Sequence, residues 1–280
     1  MREIAYSDIV DAVRRLCIEA NTLLPDDLRG AIEAAREAEE SPVGRAILGD
    51  LVENYGFAAQ RGLPVCQDTG MAVVFAELGQ EVHVSGGLLE DAVNEGVARG
   101  YVEGRLRCSV VGDPLRRENT GDTTPAVLHV RLTAGDKLRL TVAPKGFGSE
   151  NMTALRMFNP SAGREDILDF IVDAVSRAGS NPCPPVVVGV GLGGTSERAA
   201  LLAKTALLRP VGERSADPFY AAMEDEALAR VNALGIGPQG LGGRITALGV
   251  RILPAPTHIA GLPCCVNLGC HATRHASALL

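Results

Sequence analysis

The stretch Val186-Val-Val-Gly-Val-Gly-Leu-Gly-Gly-Thr195 and the thirteen residues after it decide the fold class. The apolar run at 186–190 predicts a buried strand, and the glycines that follow it predict a tight turn. Residues 196–208 have the composition of a helix, which Pro210 ends. A strand that leads through glycines into a helix is typical of α/β proteins, in which helices pack on a sheet.

The glycines of this stretch allow two interpretations. Gly189, Gly191 and Gly194 have the spacing of the dinucleotide-binding fingerprint, which would make the chain a nucleotide-binding oxidoreductase. That fingerprint also requires an acidic residue at the end of the next strand, but Glu213 lies in a loop broken by proline. The favoured interpretation is that the glycines let a helix pack closely on a strand.

Outward from this stretch, apolar periodicity predicts the remaining elements. Residues 1–60 are expected to form a helical layer that includes a helix at 26–40. Further helices are predicted at 88–99, 167–177 and 222–234, and strands at 71–78, 126–132 and 137–143. The last two strands are expected to form a hairpin. The prediction is an α/β fold (mixed α+β), with a helical N-terminal layer followed by a mixed sheet with flanking helices, in one domain over residues 1–280.

Composition limits the class of protein. The chain has 280 residues, 46% of them hydrophobic and 22% charged, as expected for a globular protein with a large core. A net charge of -7 and the absence of tryptophan argue against nucleic acid as a partner. No apolar run reaches the roughly 18 residues of a membrane span, and the acidic N-terminus does not resemble a signal peptide. A soluble, cytoplasmic protein is expected.

The seven cysteines suggest metal binding or catalysis more than disulfides, because the expected compartment is reducing. Cys66, Cys183 and Cys270 each lie in a predicted loop rich in glycine or proline, the last within residues 258–274. There a thiolate can point into a cleft. No C-x-x-C pair exists, so spacing alone leaves both a metal site and ordinary packing open. The other four are predicted to be packing residues: Cys17 on a helix, Cys108 in a strand, and Cys264 and Cys265.

Several motifs occur together and in order along nearly the whole chain. They are Cys66-Gln-Asp-Thr-Gly70, Leu106-Arg107 followed by Asn119-Thr-Gly-Asp122, Lys145-Gly-Phe-Gly-Ser149, Gly193-Gly-Thr195 and Cys270-His-Ala272. Together they resemble the class I fumarase and L-tartrate dehydratase alpha-subunit family of iron-sulfur hydro-lyases. Phe147 departs from the pattern, because many relatives carry glycine there.

The resemblance implies a cofactor and a reaction. In that family three cysteines hold a 4Fe-4S cluster, and the corresponding residues here are Cys66, Cys183 and Cys270. Three ligands for four irons leave one iron open as a Lewis acid. The implied reaction is the reversible hydration or dehydration of a small dicarboxylate, either fumarate/malate or tartrate/oxaloacetate. A different class, a non-catalytic metal-binding or regulatory module, remains the alternative.

The resemblance also implies roles for individual residues. Asp68 and His258 are expected to be catalytic, and the substrate-binding residues are expected to be Gln67, Arg107, Gly146 and Gly148. An arginine binds a carboxylate through two parallel hydrogen bonds, and glycine-rich loops bring backbone N–H groups close to anions. Lys145 is either a solvated charge or a second cation for the substrate.

A separate beta subunit is the expected partner. Single-chain relatives continue into a second domain that supplies further groups, whereas this sequence ends at Leu280, ten residues after Cys270. We therefore expect the chain to be inactive alone and to work in a heterodimer or heterotetramer.

Overall fold

The computed structural model describes residues 1–280. The helices are α1 (Tyr6–Thr22), α2 (Asp26–Ala38), α3 (Pro42–Arg61), α4 (Leu89–Glu103), α5 (Phe147–Glu150), α6 (Arg164–Ala178), α7 (Ser196–Ala206) and α8 (Pro218–Asn232). The strands are β1 (Arg2–Ala5), β2 (Met71–Gly79), β3 (Val82–Ser85), β4 (Val127–Thr133), β5 (Leu138–Lys145), β6 (Ala154–Phe158), β7 (Val186–Gly193), β8 (Ala247–Ala255), β9 (Leu262–Gly269) and β10 (Ala276–Leu279). The predicted α/β fold with a helical N-terminal region is confirmed. None of the helices combines the length and hydrophobicity that a membrane span requires.

The chain divides into two units, and each is assembled from separate stretches of sequence. The first consists of Met1–Pro25, Tyr55–Phe147 and Arg274–Leu280, and the second of Asp26–Asn54 and Gly148–Thr273. Each unit has its own four-stranded sheet and its own hydrophobic core.

The sheet of the first unit has the strand order β10-β5-β2-β4. Helices α1 and α4 pack against each other beside this sheet, and two glycines of α4 make the close approach possible. A Cβ atom on Gly96 would lie 2.6 Å from the Cβ of Val13, and one on Gly100 would lie 2.8 Å from the Cβ of Cys17. Cys17 is therefore a core residue, as predicted.

The predicted hairpin of β4 and β5 is wrong. Strand β2 lies between them, parallel to β4 and antiparallel to β5. The reason is burial: β2 carries the apolar run Ala72, Val73 and Val74, which favours the centre of the sheet, whereas Val130 and Leu132 of β4 are 51% and 71% exposed at its edge. Sequence adjacency suggested the pairing, but burial decided the order of the strands.

The sheet of the second unit has the order β6-β9-β7-β8, with β7 parallel to β8 and antiparallel to β9. Helix α7 packs directly on β7. A Cβ atom on Gly189 or Gly191 would overlap the carbonyl oxygens of Ala203 and Ala199 on that helix. The interpretation of these glycines as positions for close packing of helix on strand is confirmed.

The stretch 258–274 is only partly a loop. Its centre forms β9, which is buried between β6 and β7. The glycines and Pro263 suggested a loop, but residues 264–268, which are apolar except for Asn267, are buried and form a strand. Cys264 and Cys265 lie in this strand at 0% and 1% exposure, which confirms that they are small buried residues.

Candidate functional site

The loop that contains Cys66 is anchored from beneath by a buried arginine. Arg274, 4% exposed, donates from Nη2 to the carbonyl oxygen of Asp68 at 2.8 Å and also to Oδ1 of Asn21 at 3.0 Å. Above this anchor, Cys66 is partly exposed, and its thiol lies 3.4 Å from Oε1 of the exposed Gln67. The loop is therefore fixed on its buried side and accessible on its outer side.

Thr69 joins the Cys66 loop to Arg107. Its buried hydroxyl group accepts from the backbone N–H of Arg107 at 3.0 Å and donates to the carbonyl oxygen of Arg107 at 3.1 Å. The Tyr101 hydroxyl donates to the carbonyl oxygen of Thr69 at 2.9 Å, and burial raises the pKa of Tyr101, so it remains a donor. The backbone of Arg107 is thus held rigidly, while its side chain is exposed.

Asp68 joins the Cys66 loop to the glycine-rich loop after β5. Its Oδ1 accepts from the backbone N–H of Gly70 at 3.0 Å, and its Oδ2 accepts from that of Phe147 at 2.9 Å. A Cβ on Gly146 would lie 3.2 Å from the same Oδ2, so a larger residue would crowd the carboxylate. Each oxygen keeps a second lone pair for a ligand or a proton.

Lys145, at the start of this glycine-rich loop, is only 8% exposed. The interpretation of Lys145 as a solvated charge is therefore wrong. The close approach of Gly70 explains the burial, because a Cβ on Gly70 would lie 2.7 Å from the backbone of Lys145. Its ammonium group lies 3.3 Å from the carbonyl oxygen of Gly146.

In the second unit, the loops of Cys183 and Cys270 lie side by side. The backbone N–H of His271 donates to the carbonyl oxygen of Cys183 at 3.2 Å, which joins the two loops directly. Cys183 closes a turn by donating from its own N–H to Ser180 at 3.0 Å, and it adopts a left-handed conformation with φ of 53°. Cys183 is exposed and Cys270 partly buried.

Gly148 is exposed next to the Cys183 loop. A Cβ atom on Gly148 would lie 3.1 Å from the carbonyl oxygen of Asn181. The short helix α5 that carries it is anchored by Glu150. Oε1 of Glu150 forms an ion pair with Lys204 at 2.5 Å, and Oε2 accepts from Nδ2 of Asn267 at 2.9 Å. The position of Gly148 is therefore tied to α7 and β9.

His258 lies in an exposed turn after β8. Its Nδ1 accepts from the backbone N–H of Ala260 at 3.1 Å, so in the neutral ring the proton is assigned to Nε2, which can act as a donor. Thr257 donates to the carbonyl oxygen of Gly194 at 2.9 Å, and the N–H of Gly194 donates to Pro256 at 3.1 Å. Two of the sequence motifs, Gly193-Gly-Thr195 and the turn of His258, thus meet in the second unit.

The seven cysteines fall into two groups, buried and at least partly exposed. Burial raises the pKa of Cys17 and Cys264 to about 12 and that of Cys265 to about 11, which makes these three poor thiolates. Cys108 is partly exposed and lies in a loop, so its predicted strand is wrong. The stretch around it is held by side-chain contacts of Thr69 and Asn119 instead of a sheet ladder.

The cysteines that the sequence suggests as cluster ligands differ from the buried ones in exposure. Cys66, Cys183 and Cys270 are at least partly accessible and lie in loops, where thiolates can bind iron. Cys183 and Cys270 are neighbours in the second unit, and Cys66 belongs to the first. No group of three or more His, Cys, Asp or Glu side chains is arranged around a common point in the structure.

Three residues that organise these loops are absent from the predicted site. Thr69 lies inside the motif Cys66–Gly70, where its hydroxyl group indicated a possible hydrogen-bonding role. Glu150 follows the Lys145–Ser149 motif directly, and Arg274 follows Cys270 by four positions. Only the structure shows their contacts, because each contact joins segments far apart in the sequence.

Comparison with known proteins identifies the enzyme class. The model of the family described as fumarate hydratase (Fumerase) matches residues 10–279. A Methanocaldococcus jannaschii protein provisionally named L(+)-tartrate dehydratase subunit alpha is 41% identical over 274 residues, which cover 96% of both chains. The L(+)-tartrate dehydratase alpha subunits of Escherichia coli O157:H7 and Shigella sonnei are each 31% identical over 279 residues, or 99% of this chain and 92% of theirs.

These comparisons, together with the mixed α/β fold, define a hydro-lyase, an enzyme that adds or removes water. The chain belongs to the fumarate hydratase (Fumerase) family. The resemblance seen in the sequence motifs is therefore confirmed over nearly the whole chain.

Proposed function

We propose that this chain is the alpha subunit of a two-subunit dehydratase that removes water from L(+)-tartrate. The observation that carries this proposal is the similarity to tartrate dehydratase alpha subunits, which spans 92–96% of the relatives' length. Loss of water breaks one C–O bond and the neighbouring C–H bond, and the resulting enol rearranges to oxaloacetate. Malate, which has one hydroxyl group fewer than tartrate, and its dehydration product fumarate are the comparison substrates.

The proposed cofactor is a 4Fe-4S cluster held by Cys66, Cys183 and Cys270. When bound, such a cluster supplies an iron with an open position that acts as a Lewis acid toward substrate oxygen. The accessibility of the three thiols supports this assignment, and the buried thiols Cys264 and Cys265 are unsuited to it.

In this proposal, the loops of the chain bind the substrate as an anion. Arg107 clamps one carboxylate, and its backbone is held in place for this by the Thr69 hydroxyl. The backbone N–H groups at Gly146 and Gly148 approach the anion closely, since neither residue has a side chain to obstruct it. Gln67, exposed next to Cys66, contributes a polar contact.

Two residues are assigned to proton transfer. Asp68 accepts from the backbone N–H groups of Gly70 and Phe147, which fix its carboxylate beside the 145–149 loop, and it is assigned as the proton acceptor. His258 presents Nε2–H, because Nδ1 is engaged by Ala260, and it is therefore suited to donate to a substrate oxygen. The two assignments together provide one group that accepts a proton and one that donates.

We further propose a separate beta subunit as partner, in a heterodimer or heterotetramer. The relatives' names, subunit alpha, support this part of the proposal. Tartrate has two carboxylates, and a single exposed arginine of the recognised motifs neutralises only one. The partner is expected to supply the second cationic group.

The proposal is tested by anaerobic co-expression of the chain with a candidate beta subunit, followed by iron and sulfide analysis and assays on L(+)-tartrate, fumarate and malate. Cys66→Ser, Cys183→Ser and Cys270→Ser should each remove the cluster and the activity. Cys108→Ser is the matched control, because it alters a partly exposed thiol that is assigned no role.

Cluster retention in any of the three ligand variants would contradict the ligand assignment. Turnover of fumarate or malate without turnover of tartrate would contradict the substrate. Full activity of the chain without a partner would contradict the two-subunit arrangement.

A further inference from the structure

A second glycine-rich loop, Gly235-Ile-Gly-Pro-Gln-Gly-Leu-Gly-Gly243, follows α8 and contacts the Cys183 loop in the second unit. It is called the 235–243 loop below. Gln239 donates twice to one acceptor: its backbone N–H and its side-chain Nε2 each lie 2.8 Å from the carbonyl oxygen of Pro184. Gly240 packs so closely on Ser180 that a Cβ atom would overlap the serine side chain. The loop therefore contacts the Cys183 turn on both sides of the cysteine, at Ser180 and at Pro184.

The backbone conformations on the two sides of this contact are unusual. Cys183 and Gln239 both have φ of 53°, in the left-handed region that residues other than glycine seldom adopt. Such conformations persist where surrounding contacts determine them. The double hydrogen bond to Pro184 is such a contact, because it requires both donors of Gln239 to face one oxygen.

The 235–243 loop is itself fixed by hydrogen bonds at its C-terminal end, so it can hold the Cys183 turn in place. The buried carboxylate of Glu39 accepts from the backbone N–H groups of Arg244 at 2.9 Å and Ile245 at 2.8 Å. Within the loop, Gly242 donates to Ile236 at 2.9 Å, and Gly237 donates to the Thr246 hydroxyl at 3.2 Å.

We infer that Gln239 is a positioning residue that holds Cys183 in the conformation that presents its thiol. Two consecutive carbonyl groups are fixed from different sides: that of Cys183 by the N–H of His271, and that of Pro184 by Gln239. With both carbonyls held, the backbone at Cys183 is fixed, and with it the direction of the Cα–Cβ bond that carries the thiol. The inference rests on the proposed function only in treating Cys183 as a cluster ligand.

The test compares Gln239→Ala with Gln239→Gly in the full 280-residue chain, first without metal. Both variants remove the side-chain amide, but glycine adopts positive φ without strain. Single-residue hydrogen exchange at the Cys183 amide, which donates to Ser180 at 3.0 Å, should become about three- to tenfold faster in both, the effect of losing one hydrogen bond. Leu241→Ala, at an exposed position of the same loop, should leave the rate unchanged.

The second measurement is made after cluster reconstitution. In both Gln239 variants, a chelator should remove iron faster, and the visible circular dichroism of the cluster should change, while Leu241→Ala should behave like the parent chain. A role limited to overall stability would leave that spectrum unchanged.

Wild-type exchange at Cys183 in Gln239→Gly would overturn the inference, because the backbone alone would then hold the turn. An unchanged cluster spectrum in both variants would also overturn it. If the parent chain binds no iron at all, the proposed function fails, and the hydrogen exchange result still decides whether Gln239 positions Cys183.

Discussion

Replacing Glu39 with glutamine should destabilise the protein much more than the same replacement of its exposed neighbour Glu40. Oε1 of Glu39 accepts from the backbone N–H groups of Ser41 and Arg244, each at 2.9 Å, and Oε2 accepts from Ile245 at 2.8 Å. Glutamine has one carbonyl oxygen, so the variant turns an amide donor toward the buried N–H of Ile245. It also converts the two remaining bonds from charge-assisted to neutral.

The magnitude follows from these bonds. Charge-assisted hydrogen bonds contribute roughly 1.5–3 kcal/mol each and neutral ones about half as much, so losing one bond and halving two should lower the unfolding free energy by about 3–6 kcal/mol. Glu40→Gln is the matched control, because Glu40 is exposed and only pairs with the Arg244 guanidinium at 3.0 Å. Its cost should stay below about 0.5 kcal/mol.

The dependence on pH gives a second check of the same contact. Burial by itself would raise the pKa of Glu39, but the backbone N–H donors of Arg244, Ser41 and Ile245 outweigh it and hold the pKa below its ordinary value. The stabilisation is therefore complete above about pH 4.5, the region of an unfolded glutamate, and is lost as the pH falls through the lower folded pKa. Wild type and Glu39→Gln should converge in stability on acidification.

The assay is urea unfolding of both variants at pH 7 and at stepwise lower pH, with hydrogen exchange at Ile245 as the local probe. Equal costs for Glu39→Gln and Glu40→Gln would refute the reasoning, as would a stability difference that grows below pH 4.5.

Three further outcomes are expected. Thr69→Val, which removes both contacts of the hydroxyl with the Arg107 backbone, should raise KM about tenfold with a smaller change in kcat, and Thr69→Ser should restore it; an unchanged KM would count against the clamp. Lys204→Met should lower the unfolding free energy, measured in urea, by about 1–3 kcal/mol, because it leaves the carboxylate of Glu150 without its ion-pair partner. Adding Glu150→Gln should recover part of the loss. Additive losses in the double variant would contradict this coupling. The proposed cluster predicts that activity decays in air and returns with ferrous iron and a thiol reductant, so that indefinite stability in air would argue against an open iron position.

Elements with a strong local pattern were predictable from the sequence. Helix α4 and strand β7 carry their periodicity within a single segment, and each was predicted to within a few residues of its observed bounds. The pairing of strands was less predictable, since the central place of β2 depends on burial by segments far away in the sequence. For the same reason β9 was taken for part of a loop, although every residue after its first is buried.

The candidate site shows the same division. Cys66, Asp68 and Arg107 could be named because they lie in recognisable motifs. The groups that hold those loops could not, because Arg274 reaches Asp68 across 206 positions and Gln239 reaches Pro184 across 55. A motif identifies candidate residues, whereas the contacts that orient them depend on the completed fold.

The position of β10 has a consequence for synthesis of the chain on the ribosome. β10 covers the edge of β5 through the pairs from Ala276–Val142 to Leu279–Arg139, and Ala276 completes the core of the first unit. While the ribosome translates residues 148–273, that edge has no partner in its own sheet and can template pairing with another nascent chain. A chaperone that shields strand edges would therefore be needed most during the interval before residues 276–279 emerge.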